Sequence, residues 1–155
     1  MSIAIKRLQK EYSKILKEGI PNIYVSPEED NFLKWYFIIH GLDKPYTNGE
    51  YIGVIDFPNE YPFKPPVFKF ITPNGRFEEN KTICTTFSHY HPEEWSSLWD
   101  ISGMLLGLVS FMYEESESSV GSIKLSEKKR IKIAKESRKF NLSQKKIIKL
   151  FPMLY

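Results

Sequence analysis

Residues 57–66 read FPNEYPFKPP, with prolines at 58, 62, 65 and 66. Proline has no amide N–H and a fixed φ, so neither a regular helix nor an interior strand can run through this stretch. It must form a stiff, partly extended loop at the rim of whatever sheet its neighbours build. Before it lie three extended runs: IYV leading into a charged turn, then FLKWYFIIHG, then EYIGVIDF. They are rich in aromatic and β-branched residues and are separated by turn-forming segments such as LDKPYTNGE. After it comes a fourth candidate strand, PVFKFI, and the four together predict an antiparallel meander. At the N-terminus Ile5, Leu8, Tyr12 and Ile15 recur at helical spacing, which predicts a helix from Ser2 to about Lys17, capped by Ser2 and stopped by Gly19 and Pro21. A second helix carries Ile101, Met104, Leu105, Leu108, Phe111 and Met112 on one stripe. Two more begin at Ser126 and Ser143, with Pro152 ending the last.

A chain of 155 residues, 41% apolar and 15% aromatic, suits one folded domain spanning 1–155, with no internal repeat or linker. The longest apolar run, GMLLGLVSFMY, is well short of the ~20 residues a membrane helix needs and reads as a buried helix. MSIAIKRLQK turns basic too soon for a secretory signal, and a single cysteine cannot close an internal disulfide, so a reducing compartment is expected. The net charge of +3 is unevenly distributed: residues 126–155 carry ten Lys/Arg against two acids, leaving the first 125 residues near −5. The basic third interleaves with an apolar stripe of Ile133, Ala134 and Phe140, which favours a solvated helix face over a nucleic-acid surface.

The one cysteine, Cys84, lies in NKTICTTF, inside nearly thirty residues (72–100) without periodicity. An ordered loop of that length in a compact domain is usually functional. Free cysteine is most often a buried structural residue, but Cys84 is flanked by Thr85 and Thr86 and lies in no apolar stripe. His89 and His91 lack the spacing of a structural zinc site, and no metal is expected. A cysteine protease needs a positioned histidine base, and His40, His89 and His91 offer no such context; a phosphatase loop needs an arginine soon after the cysteine, and there is none. Residues 82–123 contain no Lys or Arg, while Glu93, Glu94, Asp100, Glu114, Glu115 and Glu117 are acidic, so nothing nearby in sequence lowers the thiol pKa. A thiol near ~8.5 is only a few per cent thiolate at neutral pH, enough to accept an acyl group from an activated thioester but poor against an amide. The residues therefore favour a carrier of activated acyl groups.

Taken in order, YIGVIDFPNEYPFKPP, TPNGRF, Cys84 and WSSLWDISGMLL closely resemble a ubiquitin-conjugating enzyme, over residues 3 to about 151. Thr-Pro-Asn in place of the usual His-Pro-Asn, the wide gap from Cys84 to Trp95, the paired Trp95 and Trp99, LVSFM, GSI and the late FNL…LFP resemble its J-type branch. That branch is tail-anchored in the endoplasmic reticulum membrane; no anchor is present among these residues, which implies either a chain cut before it or a soluble member. The resemblance implies an α+β fold, with a four-stranded antiparallel sheet, an N-terminal helix and C-terminal helices. It also implies that Cys84 accepts ubiquitin from an activating enzyme as a thioester and passes it to substrate lysine, or to a Ser/Thr hydroxyl, with a RING-type ligase. The expected setting is protein quality control on the cytosolic face of the endoplasmic reticulum, or the cytoplasm for a soluble member. No cofactor is expected, since ATP is used by the activating enzyme. Relatives of this fold that lack the cysteine are ubiquitin-binding or scaffold modules, which is the alternative reading.

Residue by residue, Asn74 matches the motif asparagine, thought to stabilise the oxyanion or to hold the loop; Asn-Gly is also the strongest turn dipeptide, so both roles stand. Thr72 replaces a mainly structural histidine. Arg7 and Lys10 match first-helix positions that meet the activating enzyme, and Phe63 and Lys64 with Ser97 and Leu98 match two loops that contact RING-type ligases. YEESESSVGSI, with Glu115, Glu117 and Ser118, matches an active-site gate in which a carboxylate would orient a lysine acceptor and help remove its proton while the serines would suit a hydroxyl acceptor; an ordinary solvated loop is the alternative.

Overall fold

The computed structural model describes residues 1–83, 94–114 and 121–155. The elements run α1 (Ile3–Glu18), β1 (Ile23–Glu28), β2 (Asn31–His40), β3 (Glu50–Asp56), β4 (Val67–Phe70), α2 (Ile101–Tyr113), α3 (Glu127–Leu142) and α4 (Lys145–Ile148). The four strands form one antiparallel sheet in the order β1-β2-β3-β4, the meander expected from the sequence. Ser2 caps α1 by accepting from the Ile5 amide, and the chain leaves the helix through Gly19 at φ 73°.

Strand periodicity assigns the two faces of the sheet. Trp35, Phe37 and Ile39 of β2, Tyr51 and Ile55 of β3, and Phe68 and Phe70 of β4 join Leu8 and Ile15 of α1 and Leu105 and Leu108 of α2 in the main core. Ile38 and Ile52 point the other way, where α4 and the residues after it cover them with buried Phe151 and with Ile147, Ile148 and Leu154. Gly53 is required by the first face: a Cβ there would sit 2.2 Å from the Phe37 ring and 2.7 Å from the Lys69 carbonyl oxygen. The proline-rich stretch forms the expected loop between β3 and β4. From the core beneath α1 a chain of edge-to-face rings leads into that loop: Trp35–Phe57 at 5.6 Å and Phe57–Tyr61 at 4.8 Å.

α3 departs from the expected pattern. Its buried positions are Arg130, Ala134, Ser137 and Asn141, whereas Ile133 and Phe140 are only half-buried. Ser137 and Asn141 turn inward because they meet backbone groups at the start of β3. Ser137 Oγ accepts from the Glu50 amide at 2.9 Å, and Asn141 Nδ2 donates to the Glu50 carbonyl at 2.7 Å. Satisfying those groups outweighs the modest apolar burial that Ile133 and Phe140 would supply.

Candidate active site

Cys84 lies within 84–93, and the expected gate residues Glu115, Glu117 and Ser118 within 115–120; both segments fall outside the described residues, as do His89 and His91. The residues leading to Cys84 are tied to the sheet. Asn80 N donates to the Phe70 carbonyl at 2.7 Å and Ile83 N to the Phe68 carbonyl at 3.0 Å, so the segment continues the free edge of β4 and buries Ile83 completely. On its other side, residues 121–123 run along the TPNGRF segment: Glu78 N donates to Gly121 O at 2.7 Å and Ile123 N to Arg76 O at 2.8 Å. Gly121, at φ 84°, lies so close to residue 82 that a Cβ would stand 2.7 Å from the Thr82 carbonyl oxygen. The position just before the cysteine is therefore set between a strand edge and residues 121–123.

The turn at 72–77 is closed by Asn74, which is fully buried. Its Oδ1 accepts from Arg76 N at 2.9 Å and Phe77 N at 2.8 Å, and its Nδ2 donates to Thr72 O at 3.2 Å. Of the two roles the sequence left open, these contacts are those of the loop-former. Thr72, in place of histidine, is also fully buried, accepting from Ile52 N at 2.9 Å and donating to Asn141 Oδ1 at 2.5 Å. Arg76 donates from Nε to the Phe111 and Glu114 carbonyls at 3.1 and 3.0 Å, which ties the turn to the C-terminal end of α2.

A second cluster gathers the residues expected to meet partner proteins. Glu11, only 8% exposed, accepts from Tyr61 Oη at 2.7 Å and Arg7 Nε at 3.0 Å through Oε2, and from Ile101 N at 2.7 Å through Oε1. One carboxylate thus joins α1, the proline-rich loop and the first turn of α2, where a negative charge also suits the helix dipole. Arg7 extends the junction by donating to the Ser97 and Trp99 carbonyls, each at 2.9 Å. Trp95 Nε1 completes it with a 2.8 Å bond to Pro62 O. The Phe63–Lys64 and Ser97–Leu98 loops are brought together in this way. Phe63 is 66% and Leu98 89% exposed, and from Leu98 an apolar groove of about 420 Å³ continues along Trp99, Gly103, Met104, Gly107 and Phe111. Lys64 pairs with Glu60 at 3.5 Å on the surface, and Ser97 is half-buried.

Arg7, expected on the contact surface, spends three donors inside the protein. The exposed cations on α1 are Lys10 together with Lys6, Lys14 and Lys17, the basic outer face expected of an amphipathic opening helix. Glu11 was missed altogether. Its signal was position: it shares the α1 face of Ala4, Leu8 and Ile15. Among the described residues no group of three or more His, Cys, Asp or Glu side chains could hold a metal ion.

Burial first, and then the charge of Glu11, push the Tyr61 phenol far above its ordinary pKa of 10.0; burial does the same for Tyr51. A raised native pKa holds stability fully below the unfolded value and loses it as pH climbs past 10.0. Thermal midpoints should therefore stay level between pH 8 and 9 and fall from pH 10 to 11, and Tyr61→Phe should make that fall shallower. A midpoint that does not move between pH 9 and 11 would contradict this.

The family model described as "Ubiquitin-conjugating enzyme" matches residues 7–145. The chain is 45% identical over 153 residues to "Ubiquitin-conjugating enzyme E2 6" of Kluyveromyces lactis, covering 97% of this chain and 61% of that protein. It is 40% identical over 150 residues to "Ubiquitin-conjugating enzyme E2 J2" of Bos taurus, covering 96% of this chain and 58% of the relative. The chain thus spans about three-fifths of the length of these relatives. Among solved structures, human ubiquitin-conjugating enzyme E2 G1 superposes with a TM-score of 0.64 at 22% identity, over 72% of this chain and 96% of that one, a likeness of fold. A meander sheet backed by α1 and α2, a buried asparagine turn beside the approach to a lone cysteine, and a match running through all of them make this chain a member of the ubiquitin-conjugating enzyme family.

Proposed function

We propose that this chain carries ubiquitin as a thioester on Cys84 and transfers it, with a RING-type ligase, to a protein substrate. In the first step the Cys84 thiolate attacks the thioester carbonyl that joins ubiquitin's C-terminal glycine to the activating enzyme, whose own thiolate leaves. In the second, an acceptor lysine amine or Ser/Thr hydroxyl attacks the new thioester, loses its proton, and releases Cys84 as a thiolate. The acyl group stays activated throughout, so the protein's contribution is positioning and charge stabilisation. The observation that supports the reading is the clamp on Ile83, the residue before the lone cysteine in sequence, between the β4 edge and Gly121. Resemblance to the J-type branch supports a role in protein quality control, at the cytosolic face of the endoplasmic reticulum membrane where a C-terminal anchor follows these residues and in the cytoplasm otherwise. No helix among the described residues is long and apolar enough to cross a membrane.

Incubation with activating enzyme, ATP and ubiquitin should yield one reductant-sensitive adduct. Its discharge to free lysine, or to free serine with a hydroxylamine-sensitive product, identifies the acceptor. No adduct under conditions that charge another family member would leave the alternative, a non-catalytic ubiquitin-binding module.

Partner contacts are assigned to the cluster described above. Phe63→Ala should slow ligase-stimulated discharge about tenfold while leaving stability within ~0.5 kcal/mol, because an exposed aromatic on a stiff loop docks at little entropic cost and supports nothing in the fold. Lys10→Glu should instead slow charging, more so at low salt, as expected for an exposed charge that steers encounter. Equal loss of both steps in both variants would refute the assignment.

A further inference from the structure

We propose that Asn141, in the last turn of α3, is a positioning residue for the active-site turn, acting through Thr72 on Asn74. The inference rests on the functional reading above. Asn141 is completely buried and uses both ends of its amide. Its Oδ1 accepts the Thr72 hydroxyl at 2.5 Å, while its Nδ2 donates to the Glu50 carbonyl at 2.7 Å and to Tyr155 Oη at 2.8 Å. Thr72 is held in turn by Ile52 N, and its carbonyl accepts from Asn74 Nδ2 at 3.2 Å. A hydrogen-bonded series, Tyr155–Asn141–Thr72 through side chains and Thr72–Asn74 through the Thr72 carbonyl, therefore links Tyr155 to the Asn74 turn.

The link has a physical reason to be stiff. A hydroxyl has a single hydrogen, so while Thr72 Oγ1 accepts from Ile52 N, donation to Asn141 fixes its rotor. Thr72 is thereby anchored to β3 on one side and α3 on the other, and the carbonyl it offers to Asn74 has one orientation. The outer end is braced as well. Arg138 pairs with Glu50 at 3.0 Å and lies 4.6 Å over the Tyr155 ring, so the aromatic that accepts from Asn141 is itself held in place. A buried network with its members satisfied specifies one arrangement, whereas removal of one member frees the rest to find others. The direction of the second Asn74 Nδ2 hydrogen depends on that arrangement, because the first is fixed by the Thr72 carbonyl.

In single-turnover discharge of the ubiquitin thioester to free lysine, Asn141→Ala should slow transfer roughly ten- to a hundredfold, the cost of a small displacement at a reacting centre. The double variant Asn74→Ala/Asn141→Ala should be no slower than Asn74→Ala alone, since Asn141 acts only through Asn74. Thr72→Val should reproduce the loss and Thr72→Ser should restore near wild-type transfer. Hydrogen exchange at the Arg76 and Phe77 amides, which Asn74 Oδ1 accepts, should quicken in Asn141→Ala at a temperature where the variant is fully folded. Multiplicative effects in the double variant, or unchanged exchange at those two amides, would overturn the proposal while wild-type charging stands. Wild-type protein that forms no thioester would overturn the functional reading and this inference with it, and the exchange result would then record a purely structural link.

Discussion

Replacing Cys84 with alanine should reduce the reductant-sensitive ubiquitin adduct to none, the largest effect expected of any single substitution. The reason is chemical. A thioester needs a thiol, this chain has one, and the methionine thioethers have no hydrogen to exchange for an acyl group. Serine at the same position should accept ubiquitin far more slowly and give an ester that survives reductant but yields to hydroxylamine or alkali, because an alkoxide is a much poorer leaving group than a thiolate. Gel mobility with and without reductant reads both outcomes. A reductant-labile adduct persisting in Cys84→Ala would refute the assignment of the acyl carrier, whatever the fold.

The second large effect is on stability. Glu11→Ala should cost about 2–4 kcal/mol, because it strands the buried Tyr61 hydroxyl, withdraws a partner from Arg7 and leaves the Ile101 amide without an acceptor. For a domain of this size that is a fall of roughly 5–15 °C in thermal midpoint. Tyr61→Phe should cost less alone, and in the Glu11→Ala background almost nothing, since the orphaned phenol is then removed. Urea unfolding of the three variants measures these differences. If Glu11→Ala lies within 0.5 kcal/mol of the wild type, Glu11 is not the junction of α1, the proline-rich loop and α2. The loss should extend to function, because the same carboxylate and Arg7 hold the Ser97–Trp99 backbone beside Pro62. Discharge stimulated by a ligase should therefore fall in Glu11→Ala even at temperatures where the protein is folded.

Much of the fold was legible in the chain because its signals are local. Ser2 and Gly19 bound α1, the aromatic and β-branched runs became β1 to β4 in meander order, and four prolines made 57–66 a rim loop. Each of these follows from steric limits and periodicity within a few residues. The candidate site was legible in part for the same reason: Asn-Gly announces a turn, and the one cysteine lies within a stretch without periodicity. Tertiary structure decided what those side chains do. Pattern alone placed Ile133, Ala134 and Phe140 inward on α3, yet Ser137 and Asn141 are buried because two backbone groups of Glu50, 87 and 91 residues away, had to be satisfied. Arg7 was read as a contact for the activating enzyme and Glu11 not at all, until Ser97, 90 residues from Arg7, and Ile101, 90 from Glu11, were folded against them. Thr72 could be recognised as a substitution for histidine, but not as the partner of Asn141, 69 residues on. A hydrogen bond demands only a donor and an acceptor about 3 Å apart in the right direction, and nothing in the spacing along a chain encodes which of many polar side chains folding will bring there.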